Sequence, residues 1–198
     1  MQIRTRAEWG ARPKKRPRGA WGTIEGIAVH HTVTADDGDI ASRLRGIQNY
    51  HMDTKGWADI AYNYLIDRNG NIWEARGMIA RSGANGTTAS NKAYVAVAFI
   101  GTYTDKLPTQ AAMSAFTELR CMTIVDQLPS ATRVRPHSDF KNTGCPGMIE
   151  GILGDLANRC DLPAPLPPIV GDIPSDSMTI DPNKVCSLVM ELLSQSTP

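Results

Sequence analysis

Four histidines and one loop cysteine are the residues of this chain best suited to chemistry. His30 and His31 stand side by side in GIAVHHTVT, His51 lies in IQNYHMD, and His137 and Cys145 share HSDFKNTGCPG. Imidazole nitrogen and thiolate sulfur are donors that zinc favours, and a catalytic zinc takes three protein ligands and leaves a fourth position to water. His137 and Cys145 sit eight residues apart on a turn-rich stretch that can fold back on itself. Alone, such a pair is a common coincidence, and a single strand-end histidine is more often just hydrogen-bonded. Adjacent strand residues point to opposite faces, so only one of His30 and His31 can serve a given site.

The elements that must position these residues read as an α/β pattern. TIEGIAVHH is a short strand rich in β-branched residues, and it ends on the histidine pair. The next stretch opens with acidic residues and spaces Ile40, Leu44, Ile47 and Tyr50 as one helical face. AYNYLIDRNGNIWEA predicts a hairpin around Asn69-Gly70, which supplies the positive φ values of a tight turn. RSGANGTTASN is small and polar and is expected to be irregular and exposed. YVAVAFIG reads as a buried central strand, 108–128 as a second helix, TRVRP as a short strand and GMIEGILGDLANRC as a third helix. The expected fold is a mixed central β-sheet flanked by helices over residues 1–160. Six prolines in 161–182 predict an extended linker, and 183–198 a short amphipathic helix able to dock back or to pair with a copy of itself as a homodimer.

Composition narrows the function classes. The chain has 198 residues, 41% of them hydrophobic, and a net charge of +1, which gives no footprint for nucleic acid. No apolar run reaches the ~18 residues of a membrane span. The basic N-terminus has no apolar stretch after it, so no secretory signal is expected and the protein would stay in the cytoplasm unless something else releases it. Four cysteines at irregular spacing do not make a disulfide scaffold, and all four are expected to be reduced. Arg4, Arg6, Arg12, Lys14, Lys15, Arg16 and Arg18 crowd the first twenty residues. They form either a solvated loop or a patch for an anionic polymer.

The ordered series AEWGARP, VHHT, IQNYH, GWADIAYNYLIDRNGNIWEARG, YVAVAFIGTY and HSDFKNTGCPG resembles the type 2 N-acetylmuramoyl-L-alanine amidases, the zinc-dependent family shared with the peptidoglycan recognition proteins. The resemblance covers residues 3–158. It implies zinc held by His30, His137 and Cys145, with His31 turned to the other face. It implies that the Tyr62 hydroxyl and Thr143 act beside the metal, although Tyr62 could also be a core aromatic and Thr143 a threonine bonding its own loop. The bond cut would be the amide between N-acetylmuramic acid and the first L-alanine of the stem peptide.

A groove for that long substrate is expected to be walled by His51, Trp57, Arg76 and Asn85, while Trp57 could instead cap the core. Many relatives have Gly-Ala-His where this chain has Gly83, Ala84 and Asn85, so peptide preference does not carry over. The packaging resembles that of a phage endolysin acting on bacterial peptidoglycan. The alternative is a peptidoglycan-binding module without catalysis, a class that usually lacks the cysteine ligand.

Overall fold

The computed structural model describes residues 2–125, 128–129 and 131–158. The expected linker at 161–182, the tail helix at 183–198, Cys160 and Cys186 lie outside the described residues. Within them the strands are β1 (Ile3–Arg4), β2 (Gly26–His31), β3 (Tyr64–Ile66), β4 (Ile72–Glu74), β5 (Tyr94–Phe99) and β6 (Arg133–Pro136). They form one sheet in the order β1-β4-β3-β5-β2-β6. The β3–β4 hairpin is antiparallel and the remaining neighbours run parallel, which is the mixed sheet expected. In the hairpin turn Gly70 has a φ of 81°, and an added Cβ would lie 2.8 Å from the Ala111 carbonyl oxygen. Only the two-residue β1 was not legible, being too short to show a period.

The helices are α1 (Ile40–Asn49), α2 (Thr88–Ala93), α3 (Gln110–Leu119) and α4 (Leu153–Ala157). Asp39 caps α1 by accepting from the Ser42 N–H, and Thr109 caps α3 by accepting from Ala112. α1 runs on in wider turns over Tyr50–Thr54 and so carries His51 past its own end. The segment 81–91 departs from expectation, because it contains most of α2 and buries Ser82, Asn85 and Ser90. Its polar side chains are used inward. Thr87 and Ser90 make a reciprocal capping box, and the Ser90 hydroxyl donates to the Asn85 carbonyl at 2.6 Å. Small polar residues therefore signalled local hydrogen bonding here, not exposure.

Strand alternation divides the core. Ile27 and Val29, Tyr64 and Ile66, and Val95, Val97 and Phe99 pack with Ala112, Phe116 and Leu119 of α3 and with Leu153 and Leu156 of α4. The opposite face sets Leu65 and Ala98 against Trp9, Ile40, Leu44 and Ile60. Because both faces are covered, β2 and β5 are buried along their whole length. His31 shares its face with Ile27 and Val29, and His30 takes the other with Ala28.

The basic arm is not a free loop. Arg6 and Arg18 pair with the fully buried Asp59 at 3.1 and 3.2 Å, and Arg12 and Lys15 pair with Asp53. Gln48 of α1 clasps the Arg12 backbone through both its amide atoms and donates to Asp59 at 2.7 Å. A second expectation also fails: Cys121 is held in a disulfide, while Cys145 is free. Cysteine spacing carries no information about which thiols the fold brings within bonding distance.

Removing Asp59 would leave the Arg6 and Arg18 guanidinium groups without their buried counter-charge. Asp59→Ala is expected to lower stability by about 3–5 kcal/mol, and Arg12→Ala, at a pair open to solvent, by about 1 kcal/mol or less. Urea unfolding followed by circular dichroism measures both, and equal small losses would contradict the role given to the buried carboxylate.

Candidate functional site

Register builds the site. β2 and β6 run parallel with Val29 opposite Pro136, so the next residue of each strand, His30 and His137, emerges beside the other at the carboxyl edge of the sheet. Their ring centroids are 4.4 Å apart. The loop after β6 then folds back. The Ser138 N–H donates to the Cys145 carbonyl, and the Met148 N–H to the Tyr103 carbonyl at 2.8 Å. Gly147 makes that closure possible: its φ is 70°, and a Cβ would lie 2.2 Å from the Tyr103 oxygen.

Cys145 Sγ consequently sits 3.8 Å from His30 Nδ1, and one ligand atom from each of His30, His137 and Cys145 lies within 4.8 Å of the others. Nitrogen and sulfur ligands of a tetrahedral zinc are about 3.6 Å apart at ordinary bond lengths. The His30–Cys145 spacing is therefore close to what that metal needs.

Two further observations fit a metal. His137 Nε2 is buried and has no hydrogen-bond partner among the described residues, an arrangement that costs free energy unless something accepts the lone pair. His30 Nε2 lies 2.9 Å from Asn85 Oδ1. The Asn85 amide donates to the carbonyls of Ser90 and Tyr94, so its oxygen is the atom facing His30. His30 must then carry its proton on Nε2 and present bare Nδ1 to the cluster, which is how an outer hydrogen bond sets the tautomer of a metal-binding imidazole.

Electrostatics prepares the same three groups. Burial and the neighbouring His137 hold His30 down at about 3, and burial with Lys141 holds His137 at about 4. Both rings are neutral at pH 7. Burial pushes the Cys145 thiol up to about 11, opposed by the His31 N–H that donates to its sulfur at 3.3 Å. Without a cation the sulfur keeps its proton.

His31 answers to the opposite face. Its Nδ1 accepts from the Tyr103 N–H at 3.1 Å, and the two rings stack. It thereby steadies the strand-end loop whose carbonyl receives Met148.

On the His30 face the rings form a row. Tyr62 lies 5.5 Å from His30, His51 5.7 Å from Tyr62, and Trp57 4.9 Å from His51. His51 Nδ1 accepts from the Ala61 N–H at 3.2 Å, which fixes the imidazole between the two aromatic rings. Burial raises the Tyr62 pKa, so its hydroxyl keeps a proton to donate. Trp57 is 37% exposed and borders a cavity with Arg76, so it does not cap the core. Arg76 itself is pinned by Nε to the Ile60 carbonyl and by Nη1 to that of Arg81.

Asn85 requires correction. At 0% exposure it cannot wall a groove, and its place is behind His30. Thr143 Oγ1 accepts from the Cys145 N–H at 3.3 Å, the local bond its position allows, and its own proton stays available to a ligand. Sequence alone offered no signal for the Asn85 contact, because 55 residues separate it from His30.

Comparison with known proteins follows the same outline. A family model described as N-acetylmuramoyl-L-alanine amidase matches residues 20–148, a span holding His30, Tyr62, His137 and Cys145. The N-acetylmuramoyl-L-alanine amidase of Homo sapiens is 35% identical over 161 residues, covering 73% of this chain and 26% of that protein. The chain thus spans about a quarter of that relative's length. Peptidoglycan-recognition protein SC2 of Drosophila simulans is 32% identical, covering 74% of this chain and 81% of that one. The crystal structure of peptidoglycan recognition protein-LE in complex with tracheal cytotoxin, a monomeric diaminopimelic acid-type peptidoglycan, superposes with a TM-score of 0.68 at 27% identity, covering 73% of this chain and 87% of that one.

Two outcomes are expected from this geometry. Asn85→Ala frees the His30 ring and lowers zinc affinity about 10- to 100-fold, measured by competition with a chelating dye, whereas His31→Ala leaves affinity within a few-fold. Between about pH 5 and pH 10 both histidines are already deprotonated and the thiol is not, given values of about 3, 4 and 11. One proton therefore leaves per cation bound, and affinity should rise about tenfold per pH unit. A flat profile would show that Cys145 is not a ligand.

Proposed function

Since the chain belongs to the N-acetylmuramoyl-L-alanine amidase family, we propose that it hydrolyses, with zinc, the amide joining N-acetylmuramic acid to the first L-alanine of bacterial peptidoglycan. The observation that carries the reading is the convergence of one ligand atom from each of His30, His137 and Cys145 within 4.8 Å. Two neutral imidazoles and one thiol form a three-donor set, the number a catalytic zinc uses while keeping a position open. Among the described residues no fourth histidine, cysteine or carboxylate joins the cluster. That disfavours a closed structural site.

When bound there, zinc supplies a water of pKa roughly 7 and a Lewis acid for the scissile carbonyl. The chain's own residues do the rest. Tyr62, 5.5 Å from His30 by ring centroids, keeps its phenolic proton and can donate it to oxygen charge that develops on the amide carbonyl. Thr143, two residues before Cys145, offers a second hydroxyl whose oxygen is already oriented by the Cys145 N–H. His51 and Trp57 continue the row away from the metal position and make a wall along which a glycan or stem peptide can lie. The side chain of Asn85, out of reach of substrate, sets the His30 tautomer. Bacteriolytic action, as of an endolysin released to the wall, belongs to the same proposal.

Purified peptidoglycan digested by the full chain tests it. New alanine amino termini should appear without new reducing sugar ends, vanish on chelation and return with zinc. Cys145→Ser should abolish release, and Tyr62→Phe should slow it about 100-fold or more while leaving zinc affinity unchanged. Wall binding without release of amino termini would assign the chain to the non-catalytic recognition class.

A further inference from the structure

Tyr62 lies on the face of the sheet opposite to the one its place in the sequence predicts. Tyr64 and Ile66 of β3 pack toward α3, and a period of two would send Tyr62 the same way. Tyr62 packs instead against the cluster of Ile40, Leu44 and Leu65 on the other face, with its ring centroid 5.5 Å from that of His30. The alternation breaks at Asn63, the single residue between Tyr62 and β3. Asn63 is fully buried.

Hydrogen bonds show how the break is made. At the far end of β3 the Ile100 N–H donates to the Ile66 carbonyl. Counted back four residues on each strand, in the parallel register of β3 with β5, the same bond would run from the Ala96 N–H to the Tyr62 carbonyl. The Tyr62 carbonyl has turned away and accepts the Arg76 N–H at 3.1 Å, and that of Ala61 accepts the Gly83 N–H at 2.8 Å. In place of the Tyr62 carbonyl stands the side-chain oxygen of Asn63, which accepts from the Ala96 N–H at 2.9 Å.

The other end of the same amide is equally committed. Asn63 Nδ2 donates to the carbonyls of Gly77 and Ala80 at 2.7 and 2.9 Å, which uses both its hydrogens and fixes which way the amide points. One side chain thus joins β5 to the loop that follows Arg76. A carbonyl supplied by a side chain lets Tyr62 leave the ladder without orphaning the buried Ala96 N–H.

We propose that Asn63 is a positioning residue for the amidase reaction: by taking the place of the Tyr62 carbonyl in the β3–β5 ladder, it turns the Tyr62 phenol to the His30 face and holds it there. The proposal rests on the amidase reading, in which that phenol donates to charge developing on the scissile carbonyl. Asn63 itself touches no substrate.

The test is a double-mutant cycle on the full chain with zinc, using a soluble N-acetylmuramoyl peptide as substrate. Asn63→Leu lets the Tyr62 carbonyl return to Ala96, and it should lower kcat about 100-fold, the scale of a misplaced reacting group. Added to Tyr62→Phe, it should slow that variant by no more than about threefold, because both changes remove one contribution. Zinc affinity, read with a chelating dye, should stay within a few-fold of native. Asn63→Ser, which leaves room for water beside the freed groups, repeats the cycle in a chain less prone to unfold. In the native chain the Asn63 side-chain N–H signals should exchange slowly by NMR.

Losses that multiply in the double variant would overturn the proposal, as a general loss of folded protein would act equally in both backgrounds. A change in KM with kcat kept would do the same, and so would fast exchange of the Asn63 amide, whether or not the variants fold. Failure of the amidase reading appears separately, as no alanine amino termini from the native chain. The displacement of Tyr62 is then still read, from the shift of its ring signals between native and Asn63→Ser protein.

Discussion

The parallel pairing of β2 with β6 is the constraint on which the site depends. Val29 faces Pro136 across the ladder, so two strands distant in sequence end together and deliver His30 and His137 to one point at the sheet's carboxyl edge. That is where parallel sheets generally present their ligands. Had the register slipped by one residue, His31 would face the cluster and His30 the α3 layer, because the side-chain period of a strand is two. The register is secured on both flanks. Ile27 and Val29 are packed into the α3 face, and β5 pairs with β2 along all six residues.

Once the histidines are placed, burial determines their protonation. A desolvated imidazole does not charge readily, so His30 and His137 are neutral far below pH 7. The same burial keeps Cys145 protonated until a cation compensates its charge. Orientation is settled by a longer chain of hydrogen bonds, from the carbonyls of Ser90 and Tyr94 through Asn85 to His30. The polar loop that carries Asn85 is accordingly packed and capped, since an oxygen that sets a tautomer has to be held still.

The N-terminal arm shows how a charged segment becomes architecture. Asp59 lies between Ala58 and Ile60 in the stretch that leads to Tyr62, and its carboxylate gathers Arg6, Arg18 and Gln48. The arm is thereby fixed beside Trp57. Around a single carboxylate stand more guanidinium groups than it can neutralise, and this surplus of positive charge faces a cavity.

Much of this was determined by the sequence alone. Period-two and helical spacing gave strands β2 to β6, helices α1 and α3, the stretch that ends in α4, and the mixed sheet, and Asn69-Gly70 gave the hairpin. The ordered motifs named the family and singled out His30, His137 and Cys145, because donor chemistry is a property of residue type. Tertiary structure alone decided the rest. It turned His31 to Tyr103, put Asn85 behind His30 and not in the groove, closed Cys121 into a disulfide, and bound the arm to Asp59 and Asp53. Each of these depends on contacts between residues far apart in the chain, whose energy comes from burial and mutual orientation. Composition and local period carry neither of those quantities.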